Sequence, residues 1–298
     1  PEIKAFGCCH EVFGTQEVLR DMYQIETGDS GVKRCEIDVN VVGINHFTWF
    51  TAASCKGTDL FPLYREYIEE HYDEGFSEPG QDWTKCVFDS MNRVKFDLFL
   101  RYGYIAAAGD RHLAEFMPGD MYLKDPETVH RWNFTLTSVA WREKDLAERL
   151  EMSGALVSGK KDADLIPSGE EGVMQMKALS GLGRLVSNVN MPNGARQIGN
   201  LPQDEVVETN VVLERDSVRP IQAGVLPEGI AALTAPHVRS HALILRAGMH
   251  CDFGAALEAL TGDPLVEGRI ADGEAQALLT DMIRGTLAYL PKPWHTIY

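Results

Sequence analysis

Apolar and polar positions follow each other along this chain with two different periods. Over residues 14–27 the apolar side chains Val18, Leu19, Met22 and Ile25 recur at helical spacing and share one face, which predicts an amphipathic helix. The same spacing predicts further helices over residues 59–70 with Asp59 as N-cap, 85–104, 125–150, 170–182, 228–260 and 272–289. Alternation or a short extended run predicts strands at residues 2–9, 34–42, 47–53, 185–190, 206–213 and 218–222.

Short polar or turn-rich segments separate these elements. Residues 43–46 interrupt a strand, residues 109–112 form a polar break, and residues 153–164 indicate a surface loop. Helices and strands do not alternate regularly, and no G-x-G-x-x-G sequence follows a predicted strand. The pattern therefore predicts an α+β fold, a mixed sheet with long helices.

Composition and charge narrow the classes of partner. The chain has 298 residues, of which 44% are hydrophobic, enough for one large domain or two modest ones. No stretch approaches the roughly 20 apolar residues of a membrane span. The net charge of -16 argues against nucleic acid and anionic membranes as partners, because both repel an acidic surface. A small anionic substrate stays compatible, since one Arg or His reverses the sign of charge inside a pocket.

The cysteines indicate a reducing compartment. None of the six belongs to a C-x-x-C pair, and the first residues carry no basic-then-apolar leader. We therefore expect reduced thiols in a cytoplasmic protein, most of them buried as small apolar side chains. The cysteines are Cys8, Cys9, Cys35, Cys55, Cys86 and Cys251.

Cys9 and His46 are the candidate metal ligands. Cys9 ends the first predicted strand, and His46 lies where the second one breaks, after Gly43 and Asn45. Thiolate and imidazole both bind divalent transition metals, and an incomplete shell suits catalysis because substrate and water fill the open positions. Taken singly, each is better explained as a buried structural residue than as a metal ligand.

Two polar clusters are candidates for proton transfer and sugar binding. Asp110, Arg111 and His112 place a carboxylate, a permanent cation and a titratable ring side by side, as a carbon base requires; the alternative is a helix start that Asp110 caps. The second cluster is rich in amides, which suit sugar hydroxyls but are also common in turns. Its members are Asn188, Asn190, Asn193 and Asn200.

The order and spacing of these motifs resemble the family 4 glycoside hydrolases, which depend on NAD and a divalent metal. The motif Cys9-His10-Glu11-Val12 is similar to that of the alpha-galacturonidase subgroup. The other carrying motifs are Gly43-Ile44-Asn45-His46, Asn188-Val189-Asn190-Met191-Pro192-Asn193-Gly194, Ile198-Gly199-Asn200-Leu201-Pro202, Val206-Val207-Glu208, Arg219-Pro220 and Leu226-Pro227.

The resemblance implies a fold and a reaction. The fold is that of the C-terminal domain of lactate and malate dehydrogenases. Cys9 and His46 would hold Mn2+ or another divalent transition metal. In the family's mechanism NAD takes hydride from sugar C3, the metal polarises the resulting ketone, and a base removes the C2 proton before the C1 substituent leaves. Water then adds, and the hydride returns.

The resemblance also implies roles for single residues. Asp110 matches the base, with His112 as the second choice, and His10 matches the leaving-group acid, with Glu11 as the alternative. Arg111 and His112 are the cations for a uronate carboxylate. Asn45, Asn190 and Asn193 are assigned to the sugar.

A further implication concerns domains. Residues 1–33 would be the end of a dinucleotide-binding domain whose bulk is missing, and no cofactor-binding residue is therefore assigned. Residues 34–298 would form the domain that binds the metal and the substrate and that mediates oligomerisation. The assembly would be a homodimer or a homotetramer. We expect the chain alone to be inactive. The alternatives are an alpha-glucosidase or alpha-galactosidase of the same family, a 2-hydroxy-acid dehydrogenase-like domain, or a non-catalytic oligomerisation module.

Overall fold

Strands pair in two antiparallel sheets within the computed structural model, which describes residues 5–77, 80–164 and 171–296. The strands are β1 (Ile37–Ile44), β2 (Phe47–Cys55), β3 (Thr58–Asp59), β4 (Ile105–Ala106), β5 (Leu185–Pro192), β6 (Val206–Glu214) and β7 (Ser217–Pro220). The helices are α1 (Glu11–Thr27), α2 (Phe61–His71), α3 (Arg93–Tyr102), α4 (Asp110–Glu115), α5 (Pro126–Arg131), α6 (Val139–Val157), α7 (Gly172–Leu179), α8 (Glu228–His250), α9 (Phe253–Thr261) and α10 (Asp272–Thr286). The α+β class is thus confirmed.

The first sheet is built on the β1–β2 hairpin. Ile44 pairs with Phe47, so Asn45 and His46 form the two-residue connection. His46 has a left-handed φ of 64°, as one residue of so tight a turn often does. Gly43 is also required here, because a Cβ on it would lie 2.4 Å from the Phe47 carbonyl oxygen. The hairpin therefore holds His46 at the tip of a rigid pair of strands.

The second sheet has the order β5-β6-β7 and places Asn190 opposite Glu208. It lies against the first sheet, where the Asn210 side chain donates to the Val39 carbonyl at 2.6 Å. Gly7 forms an isolated bridge with Asn190, which brings the N-terminal segment onto β5. The strand pair predicted at residues 206–213 and 218–222 is confirmed.

Two apolar clusters cover the faces of the first sheet. One packs α1, α2 and α3 around Phe50, and its members include Leu19, Met22, Tyr64 and Phe96. The other lies under Trp49 on the opposite face and reaches α4 and α8. Burial of each large apolar side chain contributes about 1.5–3 kcal/mol of transfer free energy, so these clusters fix the hairpin that carries His46.

Helix α1 confirms the helical prediction and corrects its apolar face. The helix begins three residues earlier than predicted and ends at Gly28, whose φ is 72°. Val18, Leu19 and Met22 are buried as expected, but Ile25 is 66% exposed. Tyr23, which is buried, takes the place assigned to Ile25, because the helix covers the sheet with a slightly rotated face.

Several predicted helices are shorter or divided, since isolated left-handed residues end them. The helix predicted at 85–104 covers only α3, between Asn92 with φ of 55° and Gly103 with φ of 75°. The helix predicted at 228–260 breaks at Cys251, where φ is 52°, into α8 and α9. The N-cap of α2 is Leu60 and not Asp59 as predicted, although the Asp59 Oδ1 accepts from the Phe61 N–H at 3.0 Å.

Other boundaries were wrong. The helix predicted at 125–150 is two helices, α5 and α6, and α6 continues to Val157 through the start of the loop predicted at 153–164. The strand predicted at 2–9 reduces to the Gly7 bridge among residues 5–9, and residues 1–4 lie outside the described residues. Within the described ranges no helix has the length and apolarity to cross a membrane.

Candidate functional site

The N-terminal segment places Cys9 between β5 and the start of α1. Cys9 is 8% exposed, and its carbonyl oxygen lies 3.5 Å from the Asn188 Nδ2. Cys8 turns elsewhere, because its thiol donates to the Gln175 Oε1 at 2.8 Å. Of the two adjacent cysteines, Cys9 is the one whose backbone is held by the Asn188 amide.

The Asn45–His46 turn reaches the same face of β5. The Asn190 Nδ2 donates to the Asn45 Oδ1 at 3.1 Å. Asn188 and Asn190 are two residues apart on one strand, so their side chains leave the same face. Amides on one face of β5 therefore hold the backbone beside Cys9 and the turn that carries His46.

These two candidate ligands stand without a third. Among residues 5–77, 80–164 and 171–296, no group of three or more His, Cys, Asp and Glu side chains is arranged to hold a metal ion. The Asn190 Oδ1, on the strand whose amides bind both segments, is buried and has no hydrogen-bond partner. The protein groups at this place amount at most to an incomplete coordination shell.

Glu11 links the segment after Cys9 to helix α4. Its Oε2 accepts from the Gly109 N–H at 2.7 Å, and its Oε1 lies 3.5 Å from the Nε2 atoms of both His10 and His112. Burial acts to raise the pKa of Glu11, but the Gly109 hydrogen bond and the nearby imidazoles outweigh it, so the pKa lies below its usual 4.5. The Glu11 side chain is thus an anion between imidazoles.

His46 and His112 are in contact. Their ring centroids are 4.2 Å apart, and the planes are inclined by 30°. Burial, with the neighbouring His112 as a further cause, lowers the pKa of His46, which favours the neutral imidazole that metals bind. The Nδ1 of His112 is buried and has no hydrogen-bond partner.

Asp110 binds to the start of α3, and its assignment as the base stays a prediction. Its side chain is fully buried, and its Oδ1 accepts from the Lys95 N–H at 3.1 Å, at the start of α3. Burial raises the pKa of Asp110 to about 6, although Lys95 and the backbone N–H groups of Val94 and Arg93 oppose this. The alternative, in which Asp110 caps a helix start, is closer to what is observed. The helix it caps is the neighbouring α3 and not its own helix α4.

The side chains of Arg111 and Asn193 make hydrogen bonds within the protein, and their assignment to the substrate stays a prediction. The Arg111 guanidinium donates to the Val87 carbonyl at 3.1 Å and lies over the Phe88 ring at 5.0 Å, so it is engaged apart from Glu11 and the imidazoles. Asn193 is fully buried, and its amide is used by the loop that follows β5. It donates to the carbonyls of Ile198, Leu201 and Pro202 and accepts from the Ile198 N–H. Asn193 therefore has no group left for a sugar.

Glu208 is a residue that the sequence reasoning overlooked. It is 1% exposed on β6, and its Oε1 accepts from the Asn188 Nδ2 at 2.5 Å. Burial raises its pKa to about 7, although the amides of Asn188 and Asn190 act against the shift. The signal was present: a carboxylate inside the apolar strand run Val206–Glu214 is rare without a partner.

Comparison with known proteins identifies the family. A sequence model described as the family 4 glycosyl hydrolase C-terminal domain matches residues 41–266. An alpha-galacturonidase from Lachnoclostridium phytofermentans is 54% identical over 295 residues, which are 99% of this chain and 63% of that relative.

Solved structures agree with this result. The crystal structure of lplD from Bacillus subtilis, described as a candidate glucosidase, matches with a TM-score of 0.87 at 46% identity over 94% of this chain and 63% of that one. A 6-phospho-alpha-glucosidase from gut microorganisms, in complex with NAD and Mn2+, shares the fold with a TM-score of 0.69 at 19% identity, over 96% and 61% of the two chains. The chain thus spans less than two thirds of the length of these relatives, and it belongs to the family 4 glycosyl hydrolases.

Proposed function

We propose that the protein hydrolyses alpha-galacturonides at the site formed by Cys9, Glu11, His46 and His112, with NAD and a divalent metal such as Mn2+. The observation that carries the proposal is the position of Glu11. Its carboxylate is bound to the Gly109 N–H and lies beside the imidazoles of His10 and His112, while Cys9 and His46 are held by amides of one strand. The 54% identical relative, an alpha-galacturonidase, supports the choice of substrate.

The donor set fits a divalent transition metal. Cys9 and His46 offer one sulfur and one imidazole nitrogen, and the pKa of His46 is lowered, chiefly by burial, which keeps the ring available as a ligand. A bound metal would supply Lewis-acid polarisation of a sugar oxygen, with positions left for the substrate because the protein does not complete the shell.

We assign proton transfer to the imidazoles. His112 contacts His46 and lies 3.5 Å from Glu11, so a proton held by its ring is adjacent to the proposed metal ligand. His10 has a side chain 64% exposed and also lies 3.5 Å from Glu11, which suits a leaving-group acid that approaches the substrate from solvent. Glu11, below its usual pKa, would orient both rings and stabilise either one when it is protonated.

The uronate carboxylate requires a cation, and Arg111 is engaged by Val87 and Phe88. The imidazoles of His10 and His112 are the remaining candidates at the site. Glu11 contributes negative charge there, so a substrate phosphate, with about two charges, would be disfavoured more than a carboxylate with one. The site therefore favours a uronic acid over a phosphorylated sugar.

The remaining parts of the proposal concern the whole protein. We assign no residue of this chain to NAD, and we retain residues 1–33 and 34–298 as the division between a dinucleotide domain and the substrate domain. We expect a cytoplasmic homodimer or homotetramer. Exposed apolar side chains on α6 and α8, such as Val157 at 90% and Met249 at 72%, support association.

The decisive experiment is hydrolysis of an alpha-galacturonide in deuterated water. Because we expect the chain alone to be inactive, this and every other kinetic test uses the chain supplied with a dinucleotide-binding domain. With NAD and Mn2+ present, the proposal predicts galacturonate that carries deuterium at C2, because the C2 proton is exchanged before water adds. Omission of either cofactor and the substitution Cys9→Ser should each abolish turnover. Hydrolysis without NAD, or a product with no deuterium at C2, would contradict the proposal.

A further inference from the structure

Two paired residues of strands β5 and β6 each carry a buried oxygen atom that lacks a hydrogen-bond donor. Asn190 and Glu208 are directly paired in the sheet. The Oδ1 of Asn190 and the Oε2 of Glu208 are both buried, and neither has a hydrogen-bond partner. Such atoms are rarely left unsatisfied, because each lost hydrogen bond in the interior costs about 1–3 kcal/mol.

The remaining polar atoms of this pair are already used. The Oε1 of Glu208 accepts from the Asn188 Nδ2 at 2.5 Å, and the Nδ2 of Asn190 donates to the Asn45 Oδ1 at 3.1 Å. A protonated carboxyl has one O–H donor in addition to its acceptor oxygen. One proton on the Oε2 of Glu208 therefore satisfies both orphaned atoms.

We propose that Glu208 is a positioning residue that acts as a neutral acid, donating to Asn190 and accepting from Asn188, and so joins the Cys9 segment to the Asn45–His46 turn. The chain of contacts runs from the Cys9 carbonyl through Asn188 and Glu208 to Asn190 and Asn45. The role rests on the proposed function insofar as Cys9 and His46 are taken as metal ligands.

The surroundings oppose an ionised Glu208. The side chain is 1% exposed, and burial raises its pKa most strongly. The Asn188 and Asn190 amides lower the pKa in part, and the negative charge of Glu11 raises it again. The alternative is an Asn190 amide turned by 180°, with its Nδ2 toward an anionic Glu208 and its oxygen toward Asn45. That arrangement buries a charge whose partners are neutral amides, which is costly.

Substitutions at Glu208 separate the two arrangements. E208Q keeps the shape and supplies one acceptor and one N–H donor, as the neutral acid does, whereas E208L supplies neither. We expect E208Q to bind Mn2+ with wild-type affinity and E208L to bind it about 10–100-fold more weakly, a loss typical of residues that orient metal ligands. The matched control is E214Q, a surface carboxylate on the same strand, with wild-type affinity expected.

The outcomes are distinct. If E208Q weakens Mn2+ binding as much as E208L, the carboxylate is the working form and the proposal is wrong; unchanged binding in E208L also overturns it. If the wild-type protein binds no Mn2+, the proposed function fails, and infrared spectroscopy still tests Glu208.

At neutral pH the wild-type infrared spectrum should contain a carboxylic-acid C=O band that the spectrum of E208Q lacks. Absence of this band from the wild-type spectrum refutes the neutral acid. If E208L does not fold, the infrared comparison of the wild type with E208Q tests the proposal without that variant.

Discussion

The imidazole of His112 lies 4.2 Å from that of His46 between ring centroids. This contact joins helix α4 to the β1–β2 turn, two elements that are far apart in sequence. It also places the ring assigned to proton transfer beside the ring assigned to the metal. Substitutions at His112 and at His46 separate these two roles.

The substitution His112→Gln should reduce turnover and spare metal binding. General acid–base catalysis contributes about 10²–10⁴-fold, so we expect kcat to fall by that factor while the Mn2+ dissociation constant stays unchanged. Steady-state kinetics and metal titration measure the two quantities. His71→Gln, on an exposed part of α2, is the matched control. A parallel loss of Mn2+ affinity in His112→Gln would make His112 a ligand instead.

Two substitutions at His46 test the turn conformation and metal binding separately. Asn adopts left-handed φ readily, so His46→Asn should keep the melting temperature and lose Mn2+ binding. The β-branched variant His46→Val should lose both, with a cost of about 1–2 kcal/mol from its left-handed backbone. Thermal unfolding and metal titration of the two variants give the comparison. Equal stability of the two variants would refute the strained turn.

Glu11 should stabilise the fold in a pH-dependent way. Because its folded-state pKa lies below the usual 4.5, its contribution is present above pH 4.5 and is lost as the pH falls through the folded-state pKa. We expect Glu11→Gln to lower the free energy of unfolding at pH 7 by about 1.5–3 kcal/mol, the range for a hydrogen bond to a charged group. Denaturant titrations at pH 7 and at pH 3 check this: the difference from the wild type should shrink at the lower pH.

The contribution of Asp110 to stability has the opposite pH dependence. Its folded-state pKa is raised from 3.8 to about 6, so its contribution to stability is fully present below pH 3.8 and declines as the pH rises toward 6. In Asp110→Asn this decline should be absent, since the amide does not ionise and still accepts from the Lys95 N–H. Unfolding free energies between pH 3.5 and 6.5, roughly the window that linkage requires, measure the slope.

The same variant tests the catalytic assignment. A buried cap predicts that Asp110→Asn keeps kcat within about tenfold of the wild type, whereas loss of a general base costs about 10²–10⁴-fold. Asp110→Ala removes the acceptor as well and should destabilise the protein by about 0.5–2 kcal/mol, as the loss of a helix cap does. A collapse of kcat in a well-folded Asp110→Asn would restore Asp110 as the base.

Asn193 should affect stability and not substrate binding. Its amide bonds four backbone groups of the following loop, so Asn193→Ala should lower the free energy of unfolding by about 2–4 kcal/mol, counting roughly 1 kcal/mol for each hydrogen bond. The KM for the galacturonide should stay unchanged. Gln203→Ala, whose exposed side chain makes one hydrogen bond to the same loop, is the control. A raised KM without loss of stability would return Asn193 to the substrate.

The sequence by itself determined the class of fold, most of the elements and the family. Periodicity is a local property, so α1, the strands β1 and β2, and the β6–β7 pair followed from the order of apolar residues alone. Boundaries at Asn92 and Cys251 did not follow, because a left-handed residue of these types leaves little trace in the apolar pattern. The motifs around Cys9 and His46 also indicated, from the sequence alone, the two segments that Asn188 and Asn190 of β5 bind.

Only the tertiary structure decided the partners of each side chain. Asp110 and His112 are two residues apart on one short helix, yet the first is buried against α3 and the second contacts His46. Glu208 is one of several polar residues on β6, and only its pairing with Asn190 shows that it lies next to the amides of β5. Burial and hydrogen bonding between distant segments set these outcomes, and no local pattern encodes which segments will meet.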